Sequence, residues 1–164
     1  MINFKELIIN QFGQDIVLAE DLTALQYSLN IAPRHIAEVA RFLHENETCF
    51  FDLLSCITAI DNGPTANTMQ VIYNLYSIVY EHSLMLKVML PRQEVDGSLP
   101  KINSVSHVWK TANWHEREAF DLLGIDFINH PDLRRILLPE DWQGHPLRKD
   151  YVEQEIYHGI QVKS

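Results

Sequence analysis

The chain has 164 residues, enough for one domain or one domain with a tail. Hydrophobic residues make up 46% and charged residues 21%, a globular composition that can bury a core without disulfides or metals; size scaling predicts a folded surface of roughly 8,000 Å² and burial of about 70% of the extended chain. With 13 Lys and Arg against 22 Asp and Glu, the formal charge is −9, which argues against a nucleic-acid binder and against electrostatic docking on anionic lipid.

In chain order, Phe4 to Phe12 has apolar residues at helical spacing and is closed by Gly13. Asp15 to Ala19 and Leu25 to Ile31 read as short strands. Pro33 suits a first helical turn, and Ile36, Val39, Ala40 and Leu43 carry the stripe of an amphipathic helix to about Glu45. Cys49 to Ala59 predicts a buried strand, and Asp61-Asn62-Gly63-Pro64 a turn. Met69 to Val79 and Leu84 to Leu90 predict a hairpin turning near Glu81-His82, with Leu84, Leu86, Val88 and Leu90 on one face. The order αββαβββ over residues 1–91 is that of an α+β, two-layer domain with a mixed sheet. Residues 92–103 read as a loop, and 104–124 as a helical segment with a break near Thr111 and a left-handed stop at Gly124. From 125 to 164 the periodicity fades, and prolines and paired arginines mark a long irregular arm.

Charge divides along the same line. Residues 1–100 carry 5 basic and 12 acidic side chains, and residues 101–164 carry 8 and 10; Trp109, Trp114 and Trp142 all lie in the second part.

The absences narrow the function. No run reaches the ~18 apolar residues of a membrane helix, so no direct span is expected. The amino terminus has no signal or transit character, which reads as a cytoplasmic, non-secreted protein. Cys49 and Cys56 are expected to be buried free thiols, too few for an iron–sulfur cluster. The six glycines form neither GxGxxG nor a P-loop, and His115-Glu116 fails as HExxH because position 119 is Ala.

On a helical wheel from Ala112, the apolar face holds Ala112, Ala119, Phe120 and Leu123, with Glu116 in its middle. A carboxylate there must find a partner or take up a proton. Arg117 and Asp121 are spaced to pair on the flank. Arg134, Arg135, Arg148 and Lys149 follow in the arm, and the expectation is that the arm folds back and brings an arginine to Glu116. One reading has Glu116, with His115 or His130, doing acid–base chemistry; a hydrolase using Glu116, Asp121 and His130 is its fullest form. The favoured reading has carboxylate–guanidinium pairs pinning the arm to the domain or to a partner, because no nucleophile, metal motif or phosphate loop accompanies the acid. His115, His130 and His145 could be set as metal ligands, but they are isolated, His130 and His145 beside prolines, and the favoured reading is turn or interface residues.

The run from Ala112-Asn113-Trp114 through Glu116-Arg117-Glu118-Ala119-Phe120-Asp121-Leu122-Leu123-Gly124-Ile125 is followed by His130-Pro131-Asp132-Leu133-Arg134-Arg135 and by Gly144-His145-Pro146-Leu147-Arg148-Lys149-Asp150-Tyr151. Together these segments resemble the signature of the 30 kDa subunit family of respiratory complex I, called the C subunit of NADH-quinone oxidoreductase in bacteria. His115, where the family usually has an aromatic, and Val152, where it often has Pro, depart from the pattern. The resemblance implies a non-catalytic peripheral-arm subunit on the cytoplasmic side of the bacterial plasma membrane, with no cofactor of its own. NADH, FMN, iron–sulfur clusters and quinone would belong to the assembled complex. Its implied partners are the large quinone-cavity subunit and the iron–sulfur subunits, and the signature residues would form the interface. Related subunits serve membrane-bound hydrogenases and ferredoxin- or coenzyme-linked dehydrogenases.

Overall fold

The computed structural model describes residues 2–23 and 25–162; Met1, Ala24 and the last two residues of the arm lie outside it. Helix α1 (Phe4–Phe12) is capped by the Asn3 side chain, which accepts the Glu6 N–H, and it buries Phe4 and Ile8. A single 3₁₀ turn over Gln14–Ile16 replaces the start of the first expected strand, so β1 runs Val17–Asp21. Strand β2 (Ser28–Ile31) is shorter than expected. Helix α2 (Ile36–Glu45) buries the four stripe residues Ile36, Val39, Ala40 and Leu43.

The third strand begins later than its apolar run. Residues 46–52 turn, with Phe50 at φ +33°, and β3 is Leu53–Asp61. Cys49 is therefore outside the strand and buried, whereas Cys56 is only half-buried, because β3 lies at the sheet edge. The hairpin is as expected: β4 (Thr68–Ser77) pairs antiparallel with β5 (His82–Pro91) in unbroken register, turning over 78–81.

The five strands order as β1-β2-β5-β4-β3, and β2 with β5 is the parallel pair that makes the sheet mixed. Alternate residues of β4 and β5 (Val71, Tyr73 and Leu75; Leu84, Leu86 and Val88) point into one core with the buried sides of α1 and α2. The opposite face of β4, Gln70 through Tyr76, is half-buried.

Residues 104–111 form turns rather than helix, and helix α3 is Ala112–Leu123. The Ser104 hydroxyl and the Val105 N–H are both engaged by a side chain of α3, which fixes this stretch in a non-helical path. Two three-residue strands not expected from the sequence, β6 (Lys101–Asn103) and β7 (Asp126–Ile128), pair in parallel on either side of α3. Ile102, Val105, Trp109, Ile125 and Phe127 join the same buried cluster as Phe4 and Ile8. Among the described residues the arm carries one short hairpin, β8 (Ile156–Tyr157) with β9 (Ile160–Gln161).

Candidate functional site

The signature residues gather on α3 and on the arm folded against it. Glu116 is fully buried. Its carboxylate accepts the Ser104 Oγ–H at 2.6 Å and the Val105 N–H at 2.7 Å. The expected arginine does not arrive. The turn before α3 crosses the helix's apolar face and supplies donors first, while the arm's arginines run to other acceptors. Burial pushes the Glu116 carboxyl up to about 7, against the pull of the Ser104 and Val105 hydrogen bonds.

His130 stands beside this carboxyl, Nε2 lying 3.8 Å from Oε2. Its Nε2–H donates to the Asn113 carbonyl at 3.1 Å, and its Nδ1 accepts the Asp132 N–H at 3.0 Å. That pattern is a neutral imidazole, and burial lowers its pKa in agreement. Tyr73 of β4 is also fully buried near Glu116, and its hydroxyl has no hydrogen-bond partner among the described residues.

Asp121, also fully buried, organises the arm. Oδ2 accepts the N–H groups of Ile136, Leu137 and Leu138 at 3.0, 2.8 and 2.9 Å, and Oδ1 accepts from Arg135 Nη1 at 2.7 Å. Burial alone would raise this carboxyl; the three N–H groups and the guanidinium outweigh it and hold it low. Arg135 continues outward, donating to the Trp142 and Gly144 carbonyls at 2.9 Å each. The expected Arg117–Asp121 pair is not formed. Arg117 donates instead to the carbonyls of Arg134 and Arg135, and its guanidinium lies 5.5 Å from the Trp114 ring centre.

The end of α3 is closed by the arm. Gly124 has φ +69°, the left-handed stop that the sequence predicts. Arg148 donates to the Leu123 and Gly124 carbonyls at 2.7 and 3.1 Å, placing a cation on the negative end of the helix. His145 Nδ1–H donates to the Asp121 carbonyl at 2.9 Å. A Cβ at position 124 would sit 2.5 Å from the His145 ring, so this glycine is also required by close approach.

A second latch was not legible beforehand. Arg92 grips Asp61 through two bonds of 2.8 and 2.9 Å and also pairs with Asp150. The Asp61 carboxylate accepts the Lys149 N–H at 2.8 Å and the Gly63 N–H at 2.9 Å. Burial opposes ionisation here, but Arg92 and the two N–H groups draw Asp61 down to about 2. Its signal was an acid in the core-facing register of β3, two residues beyond Ala59.

The remaining signature residues lie further out. Trp114 is 61% exposed, Glu118, Pro131 and Gly144 are exposed, and Pro146 is half-buried. Arg134 is exposed and pairs with Asp132 at 3.0 Å. Among the described residues no group of three or more His, Cys, Asp or Glu is placed to hold a metal, and no helix is long and apolar enough to cross a membrane.

Residues 29–157 match the family model described as respiratory-chain NADH dehydrogenase, 30 Kd subunit. The chain belongs to this family. It is 46% identical over 125 residues to the C subunit of NADH-quinone oxidoreductase from Chloroherpeton thalassium, covering 76% of this chain and 49% of that protein. It is 45% identical over 127 residues to the corresponding subunit of Geobacter sulfurreducens, covering 77% and 74%. The chain thus spans about half the length of the first relative and about three quarters of the second. In fold it is similar to a chain of the membrane-bound sulfane sulfur reductase, an archaeal respiratory membrane complex, with a TM-score of 0.71 at 19% identity over 90% of this chain and 82% of that one.

Proposed function

We propose that this chain is a non-catalytic subunit of a proton-translocating NADH:quinone oxidoreductase. In this reading it sits in the peripheral arm on the cytoplasmic face of the bacterial membrane and packs against the quinone-cavity and iron–sulfur subunits. The observation that carries the reading is where the signature charges go. Asp121, Arg117, Arg135 and Arg148 hold backbone groups of the arm and of α3, which shapes a surface rather than a reaction centre. Both oxygens of Glu116, the acid best suited to proton chemistry, are taken by the Ser104 hydroxyl and the Val105 N–H, with the neutral His130 ring beside them, so this carboxyl ties α3 to the turn that precedes it. Identities above 40% to subunits named for NADH and quinone favour that host over a hydrogenase or a ferredoxin-fed dehydrogenase.

The test is purification of a tagged full chain from its native membranes. An NADH-oxidising, quinone-reducing assembly in stoichiometric amounts supports the reading. Flavin or iron bound stoichiometrically to the purified chain by itself would overturn its non-catalytic part.

A further inference from the structure

Strand β3 is an edge strand, and its outer edge is only partly covered. The direction of its backbone groups follows from two bonds. The Asn62 N–H donates to Thr68 of β4 at 3.1 Å, so even-numbered residues face β4; the Ile57 N–H donates away from the sheet, to His115 Nδ1 on α3 at 3.3 Å. Further back, the Leu54 carbonyl accepts the Thr111 hydroxyl at 3.4 Å. By the same alternation the Ile57 carbonyl, the Ala59 N–H and the Ala59 carbonyl point outward, and none of them bonds to another described residue. They face a groove of about 360 Å³, walled by His115, Glu118 and Leu122 of α3 and closed at one end by Leu147 of the arm.

An acceptor, a donor and an acceptor along one extended edge are the complement of another extended chain and of little else. Glu118 is the acidic side chain on the groove's wall, it is exposed, and it makes no ion pair with another described residue. That charge favours an incoming segment with Lys or Arg opposite it. We infer that the outer edge of β3 at Ile57–Ala59 accepts a short extended, basic segment of a partner subunit, which adds as a sixth strand between the sheet and α3. The inference rests on the proposed function, because it assumes that the chain assembles with other subunits. His115, which already accepts the Ile57 N–H, then acts as the stop that ends pairing at Ile57.

Amide hydrogen exchange tests this, comparing the purified full chain with the complex recovered through its tag. The Ala59 amide is expected to exchange quickly in the isolated chain and at least about 100-fold more slowly in the complex, while the Thr58 and Ile60 amides are slow in both. Ala59→Pro removes only the outward N–H, a change that an edge strand tolerates. It should leave the unfolding midpoint of the isolated chain nearly unchanged and lower recovery of partners by about tenfold or more. A fast Ala59 amide in an intact complex overturns the inference alone. So does an amide already slow in the isolated chain, which would mean that the edge is covered from within. Failure of the wild-type chain to recover any partner overturns the functional reading, and this inference with it.

Discussion

Glu116 shows what a single residue's surroundings do to it. Its place on the apolar face of α3 was legible from the helical period. Its partners were not, because Ser104 and Val105 come from a turn that only the tertiary path brings across the helix. The consequence is a carboxyl whose folded-state pKa lies near 7 rather than at 4.5. The folded chain therefore holds a proton that the unfolded chain releases. The stabilisation is fully present below pH 4.5 and is lost as pH rises through about 7. Across that window it amounts to roughly 3 kcal/mol. Urea unfolding at pH 5 and pH 8 checks this: between the two pH values wild type should lose most of that amount relative to Glu116→Gln, and a parallel pH dependence in the two proteins would place the titration elsewhere. Gly124 carries a simpler constraint. Gly124→Ala must place a side chain at φ +69° and against the His145 ring, so a loss of about 1–3 kcal/mol in thermal unfolding is expected.

Among elements, α2 and the β4–β5 hairpin matched their sequence signals, whereas α3 and β3 both begin later than expected. The stripe of α2 and the alternation of β5 announce themselves, whereas β6 and β7 are three residues each and pair across the whole of α3, too short for any period to register. The arm was expected to be irregular and is, yet it has a fixed path, because Asp121 captures three consecutive N–H groups and the Arg135 guanidinium. The sequence pointed to pairing in this region but assigned the wrong partners. An arginine reaching for the nearest acid on a wheel competes with one reaching carbonyls left open at a helix end or in a loop, and in this fold the carbonyls capture Arg117 and Arg148. Asp121→Asn gives up the charge and one acceptor. Limited proteolysis should then cut the arm between residues 136 and 151 at least about tenfold faster, while fragments containing the buried cluster persist. Uniform loss of protection across the chain would show that Asp121 supports the core instead.

At the scale of the molecule, the accessible surface is 9435 Å², above the roughly 8,000 Å² that size scaling gives for a compact chain of this length. The excess fits an arm spread over the domain, with Leu137, Leu147, Val152, Ile156 and Ile160 exposed. Charge is acidic ahead of residue 100 and near balance after it, yet the core runs across that line, since Ile102, Val105, Trp109, Ile125 and Phe127 share one buried cluster with Phe4 and Ile8. The two adjacent arginines separate fold from assembly. Arg135 is tied to Asp121, Trp142 and Gly144, so its reversal should loosen the arm itself. Arg134 pairs with exposed Asp132 and projects outward. Arg134→Glu should therefore leave the unfolding free energy within about 0.5 kcal/mol of wild type while reducing recovery of the complex. Full recovery would take Arg134 out of the interface.

A strain from which the chain has been deleted shows whether the chain is a structural subunit of an NADH:quinone oxidoreductase. Membranes of that strain should lose NADH-driven, quinone-dependent proton pumping and regain it with the wild-type chain, which then purifies with the complex. Undiminished pumping in the deletion strain, with the tagged chain recovered alone, would contradict that role.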